Sequence, residues 1–283
     1  MTSDPAFTEV GDRIFVLRHP VFDVSVTLVP GRTAALLVDT LSTAGQAAAL
    51  ADAVRRITTL PLVLVNTHHH FDHCFGNAVL ARAAEAGKAS RPIWAHEAAA
   101  ALLRDTPERV RREAYDEALA VDSELAAEVA ATAILAPDHT VHQESTLDLG
   151  DRAVLLRHHG RGHTAGDLVV AVPDADVLLA GDLLEESGPP DFTDAYPLEW
   201  PDTVDALLGT ASSGTVIVPG HGAPLGVERA RIQQADLAAL AWAIRDGHAD
   251  GQPAEAVAQR AAFGAGPSLV AVRRGYAELS GDA

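Results

Sequence analysis

The chain opens with short apolar runs and only later falls into helical spacing. Segments 13–18, 21–29 and 33–38 are apolar and β-branched, broken by Pro20 and by Pro30-Gly31, which predicts a meander of short strands. Thr43 and Gln46 stand in capping-box register, and Leu50, Val54 and Ile57 then recur at helical intervals. Pro61 closes that helix. Segment 62–65, Leu-Val-Leu-Val, reads as a buried strand running into Thr67.

Segment 78–86 reads as a helix and 92–94 as a strand. Thr106 followed by Pro107 suits a helix start, and one helix is predicted from there to about Ala130. Its Glu108/Arg112 and Arg109/Glu113 pairs mark a solvated face. Strands return at 147–149, 153–156, 168–172 and 177–179; 203–208 is helical and 215–218 a strand. A last long helix over 228–246 is predicted to close at Gly247. Strands and a helix, then strands and a helix again, suggest two sheets face to face with helices outside both.

Composition narrows the function. The 283 residues, 48% hydrophobic, suffice for a substantial core. Acidic residues outnumber basic ones 39 to 21, giving a formal net charge of -18, and Lys88 is the only lysine. Little basic surface can therefore be built against nucleic-acid phosphates or an anionic membrane, and neither is an expected partner. A single cysteine, Cys74, excludes an intramolecular disulfide, and the polar, acidic N-terminus lacks the pattern of a signal peptide. The expected compartment is the cytoplasm.

The chemistry concentrates in the histidines. His68, His70, Asp72 and His73 fall in one short run just past the strand 62–65. His68 and His70 share a face in extended backbone, while alternation points His69 away. A turn after them can aim Asp72 and His73 at a second point nearby. Imidazoles with a carboxylate are the donor set of zinc or iron. Three later elements repeat one theme, a ligand-type residue just past a strand with glycine beside it: Gly162-His163-Thr164, Gly181-Asp182 and Pro219-Gly220-His221-Gly222. Each alone is an ordinary turn; together, in this order, they point to a metal centre.

These elements resemble the metallo-β-lactamase superfamily, which carries His-x-His-x-Asp-His, then a Gly-His-Thr histidine, a strand-terminal aspartate and a late Gly-His. The opening meander ending at Val38-Asp39-Thr40 is similar as well. The resemblance implies an α/β fold, a four-layer αββα sandwich over residues 1–225, with 226–283 a C-terminal helical extension packed on the same domain. It also implies roles. His68, His70 and His163 bind a first metal; Asp72, His73 and His221 bind a second; Asp182 bridges them. The expected cofactors are two divalent ions, zinc first, with iron or manganese as alternatives. Departures lie outside the ligands: Phe75-Gly76-Asn77 stands where a glycine pair is common, and Arg161 where proline is frequent.

The implied activity is hydrolysis of a small ester, thioester or lactone. Two ions sharing a water lower its pKa and stabilise the oxyanion, with Asp72 as the catalytic carboxylate that holds the hydroxide and accepts its proton. A mononuclear iron persulfide dioxygenase would need only two histidines and an aspartate. A β-lactamase of this family generally lacks an aspartate such as Asp182 and works outside the cytoplasm. Both remain alternatives. The Pro-rich aromatic segment 185–200 leaves the site directly after Asp182, and Tyr196 within it is a candidate hydrogen-bond donor to substrate. Cys74 is expected as a small buried filler, His96 as structural, His158 or His159 as a support for a ligand, and His139, His142 and His248 at the surface. The helix over 106–130 and the C-terminal helices offer a surface for a homodimer.

Overall fold

The computed structural model describes residues 6–82 and 92–281; Lys88 and the end of the helix expected over 78–86 lie outside them. The first half supplies β1 (Thr8–Gly11), β2 (Ile14–His19), β3 (Val24–Pro30), β4 (Ala35–Val38), β5 (Leu62–Val65), β6 (Ile93–His96) and β7 (His139–Val141). The second supplies β8 (Glu144–Asp148), β9 (Ala153–Arg157), β10 (Val169–Val172), β11 (Val177–Glu185), β12 (Val216–His221) and β13 (Leu225–Gly226).

The strand order is β7-β6-β5-β4-β3 in one half and β12-β11-β10-β9-β8 in the other, with β1 and β2 beside β3 and β13 beside β12. The halves are hydrogen-bonded into one sheet through a single register pair, Val24 with His221. They nevertheless pack as two layers. Leu36, Val38 and Val65 from the first half share a core with Val170, Val172, Leu179 and Val218 from the second.

Period-two alternation sends the intervening residues outward. Leu37 and Leu64 pack under Leu50 and Val54 of α1 (Ala44–Arg55). Val169, Leu178 and Ile217 pack under the helices of the second half. Strands covered on both faces carry near-continuous apolar runs, which is why β4, β5 and β10 read as they do. Burying each such leucine or valine stabilises the fold by roughly 1.5–3 kcal/mol. The result is the expected αββα layering, with both layers' loops gathered at one rim.

Local signals explain the helix ends. Thr43 Oγ1 accepts from Gln46 N at 3.2 Å, and Gln46 Oε1 accepts in return from Ser42 N at 3.1 Å, one residue earlier than a strict capping box. The ligand run turns through α2 (Phe71–Cys74), and α3 (Asn77–Arg82) follows. His96 caps α4 (Glu97–Asp105), its Nδ1 accepting from Ala98 N.

The single helix expected over 106–130 is two, α5 (Pro107–Val121) and α6 (Ser123–Ala131). Asp122 breaks it: its backbone is extended, and its carboxylate accepts from Glu124 N and Leu125 N to start the second helix. Thr106 makes no side-chain cap; its hydroxyl donates back to Leu102 O.

On the outer face of the second half lie α7 (Trp200–Leu208), α8 (Val227–Ala249), α9 (Ala254–Ala258) and α10 (Ala265–Ser280). Gly247 does not close α8, which runs on to Ala249. A Cβ at Gly247 would come within 2.5 Å of Val257 Cγ2 and 2.6 Å of the Tyr276 hydroxyl, so glycine is there for close packing. None of the described helices is long and apolar enough to cross a membrane.

Candidate metal centre

The seven expected ligands converge at the rim where the halves meet. The imidazoles of His68, His70 and His163 form a triangle with ring centroids 4.7 Å apart on each side. Beside it, His73 Nε2 and His221 Nε2 face each other at 3.2 Å. Asp72 Oδ2 lies 3.6 Å from His73 Nε2 and 3.5 Å from His221 Nε2. Asp182 touches both groups. Its Oδ2 is 3.7 Å from His68 Nε2, 3.9 Å from His163 Nε2 and 3.1 Å from His221 Nε2, and its Oδ1 is 3.2 Å from His73 Nε2. Potential ligand atoms therefore gather as His68, His70, His163 and Asp182 on one side and Asp72, His73 and His221 on the other.

Backbone geometry makes this convergence possible. Asp182 is not past the end of its strand, as expected, but inside β11, where the ladder to β12 is irregular on both sides of it. A Cβ on Gly220 would fall 1.7 Å from Asp182 Oδ1, so only glycine lets β12 pass the carboxylate and deliver His221. Leu168 N donates to Thr67 O at 2.7 Å, tying the start of β10 to the residue before His68. The Gly-His-Thr turn is fixed by Asp167, which accepts from Thr164 N and Oγ1 at 2.9 and 2.7 Å.

The imidazoles are held in chosen tautomers. His73 Nδ1 donates to Asp39 Oδ2 at 2.9 Å, and His221 Nδ1 donates to Phe22 O at 2.6 Å. Thr67 Oγ1 donates to the same Asp39 oxygen at 2.9 Å and accepts from His68 Nδ1 at 3.0 Å. One buried carboxylate thus orients a histidine of each group, leaving both Nε2 atoms as lone-pair donors. Asp39 stands at φ +66°, an uncommon backbone state for a residue with a side chain. His70 Nε2 is 3.2 Å from Asp194 Oδ1, which leaves Nδ1 to coordinate.

Electrostatics sets His68 and His163 apart from the other imidazoles; at His70, burial is outweighed by Asp194, which raises it to about 10. Burial pushes His68 well below its ordinary value and His163 down to about 4. Burial opposes protonation of His73 and His221 too, but Asp182 and the neighbouring carboxylates outweigh it, raising them to about 9 and about 12. Burial alone would raise the Asp182 carboxyl; His73, His221 and His68 hold it well below the usual range.

A bound cation fits these residues. His68 Nε2, His163 Nε2 and Asp182 Oδ1 are buried without a hydrogen-bond partner, a costly arrangement that an ion relieves.

The sequence matches the family model of the metallo-beta-lactamase superfamily over residues 19–222. The chain belongs to that superfamily. Its members are metal-dependent hydrolases, and this chain has their fold and His/Asp clusters able to hold ions. Curated relatives match over a shorter stretch. The type 2 metallo-beta-lactamase of Bacillus cereus is 31% identical over 81 residues, 28% of this chain and 32% of that protein. The type 2 enzyme of Bacteroides fragilis is 28% identical over 95 residues, 32% and 38%. The chain thus spans about a third of the length of these relatives.

Among solved structures, a metallo-beta-lactamase from Pontibacter korlensis has a TM-score of 0.64 at 20% identity, covering 82% of this chain and 98% of that one. The stereoselective inverting sec-alkylsulfatase Pisa1 from Pseudomonas sp. reaches 0.72 at 18% identity, covering 97% of this superfamily member and 50% of that chain. At these identities the likeness is one of fold.

Sequence reasoning missed Asp39 as a support, naming it only within the similar meander. It also missed Asp194, passing over it for Tyr196 in the same segment. A carboxylate recruited from far along the chain leaves no local spacing to read. His69, expected to point away from the first group, instead packs beside it: its ring centroid lies 4.7 Å from that of His70, and its Nε2 is 3.4 Å from Asp194 Oδ2. Cys74 is the buried filler expected, its thiol donating to His69 O. His158 stacks on His96, centroids 4.0 Å apart, and supports no ligand directly; its Nδ1 meets Asp167 O.

Proposed function

We propose that the chain is a dinuclear metal-dependent hydrolase of a small ester, thioester or lactone. The observation carrying this reading is Asp182, whose two oxygens face both imidazole groups. His68, His70 and His163 would hold one ion, Asp72, His73 and His221 the other, and Asp182 both. Divalent ions there supply Lewis acidity and bring the pKa of water toward neutrality; zinc suits the nitrogen-rich donor set, with iron or manganese as alternatives.

Asp72 is the catalytic carboxylate. It faces His73 and His221 on the side of the second group, where it would orient the attacking water and accept its proton at Oδ2. Asp39 and the Phe22 carbonyl keep the histidine protons on Nδ1. Burial of His68, His73, His163, Asp72 and Asp182 limits bulk water there and strengthens each of these interactions. Tyr196 lines a cavity with His69 and Asp194, in keeping with a contact to substrate.

The complete second group argues against a mononuclear iron dioxygenase. Asp182, rather than a different residue type, argues against antibiotic hydrolysis, despite the names of the relatives. Substrates are expected to be small molecules, in the cytoplasm, and the enzyme to form a homodimer.

Metal analysis by emission spectrometry, paired with an ester, lactone and cephalosporin panel, tests the reading. Close to two ions per chain with ester, thioester or lactone turnover is expected. A single iron, or no bound ion after reconstitution with zinc and manganese, would overturn it.

A further inference from the structure

Beside the metal centre lies a cavity of about 500 Å³, a volume suited to a small-molecule ligand. His69 and Asp194 form its inner wall, and both border His70, so the cavity opens onto the first ligand group. Ala98, Ala101 and Leu102 of α4 give it an apolar side. Arg109 from α5 and Arg274 from α10 complete it near Tyr196.

The charges in this cavity do not cancel. Its two acids are already engaged: Asp105 accepts from Arg104, and Asp194 accepts from His70 with His69 close by. The arginines are not engaged in the same way. Arg274 spends Nε and Nη1 on backbone carbonyls, Ala195 O at 2.6 Å and Thr193 O at 2.9 Å. A guanidinium has five N–H donors in all, so these two bonds leave others free, although Glu278 one helical turn on feels its charge. Arg109 makes a long, solvent-screened contact to Glu113, Nε to Oε1 at 3.7 Å, the pair expected from spacing.

In a protein of net charge -18, two arginines lining one cavity are a selective feature. Arg274 also lies beyond the family match that ends at residue 222, so this element is specific to the C-terminal helices.

Resting on the hydrolase reading above, we infer that this cavity takes a substrate bearing a carboxylate remote from its scissile bond. Arg274 and Arg109 are its recognition residues, and the α4 face contacts the short aliphatic segment between. Arg274 is held by carbonyls on either side of Asp194, so the loop that positions His70 also positions the anion site.

The test compares 4-nitrophenyl butyrate, which is neutral, with mono-4-nitrophenyl glutarate, which carries a distal carboxylate, on the metal-reconstituted enzyme. Wild type is expected to favour the glutarate ester in kcat/KM. The preference is expected to shrink between low and high salt, and to fall about tenfold in Arg109→Gln, the loss of one charge-assisted hydrogen bond. Arg274→Gln should lower it at least as much, while Arg274→Lys restores part of it. Among the described residues Arg109 donates to no backbone carbonyl, so its variant separates recognition from loop collapse.

Equal kcat/KM for both esters in wild type, or a preference untouched by either glutamine variant, overturns the inference. Should neither ester turn over, the hydrolase reading is left to the metal analysis and the thioester and lactone assays, and calorimetry with glutarate decides the cavity alone. Binding lost in Arg109→Gln supports it, and no binding in wild type overturns it.

Discussion

The two ligand groups share Asp182 but are built on different terms. The first sets three imidazoles against Asp182, with Asp194 bracing His70 alone, and leaves His68 Nε2 and His163 Nε2 without hydrogen bonds. The second surrounds two imidazoles with Asp39, Asp72 and Asp182, and its His73 and His221 nitrogens already meet each other and Asp182. The first group is incomplete without a cation; the second can satisfy itself with protons. Ligand identity alone would not distinguish them, since both are read as histidine and aspartate. The unmet ring nitrogens of His68 and His163 do.

The sharpest break in this comparison is His163→Ala. It removes a ligand with no hydrogen-bond role of its own, and kcat/KM for any turned-over ester is expected to fall by roughly 10³ or more, about 4 kcal/mol. Metal content measured alongside should drop with it. Activity retained within a few-fold would mean the first group is not the working site.

Graded chelation follows. The second-group ion is expected to leave first, giving a plateau near one ion per chain. Removing the last should then produce the larger fall in Tm by calorimetry, because each buried polar atom left unsatisfied costs roughly 1–3 kcal/mol. Loss of both ions in one step, or the larger Tm change at the first, would erase the distinction.

Asp39→Asn tests what joins the groups. Because Asp39 orients His73 directly and His68 through Thr67, affinity for both ions is expected to fall, by roughly 10- to 100-fold each. A competitive-dye titration that shows only one ion weakened would confine its role to one group.

The smallest effect is expected away from the centre. Burial, then neighbouring His158, pushes His96 down to about 4. In the unfolded chain the same group titrates near its ordinary value. Between those values the unfolded state binds the extra proton, so this contribution is full above about pH 6.5 and is lost as pH falls toward 4. Thermal melts of His96→Gln against wild type should show a flatter acid limb in the variant. Parallel curves would remove His96 from the pH response.

How much was legible depended on how local the signal was. The strand Leu62–Val65, the capping of α1 and the ligand run followed from neighbouring residues, and the structure bears out the first two closely. Asp122 was misread because a capping aspartate inside a helical pattern is also a tolerable helix residue; only the extended backbone there decides. Gly247 was misread for the opposite reason. Glycine signals a helix end by default, and only Val257 and Tyr276, brought in by α9 and α10, show that space rather than termination requires it.

By itself, the sequence determined the layered α/β class, the metal-type donors and their order along the chain. Those rest on periodicity and residue chemistry, which act over a few positions. Only the tertiary structure decided that Asp39 serves both groups, that Asp194 braces His70, and that Arg274 reaches the same rim. These partners come from strands and helices far apart in sequence. They meet because the halves share one register pair, Val24 with His221, and because Gly220 lets β12 lie against Asp182. Such contacts depend on how whole layers pack, which spacing along the chain does not encode.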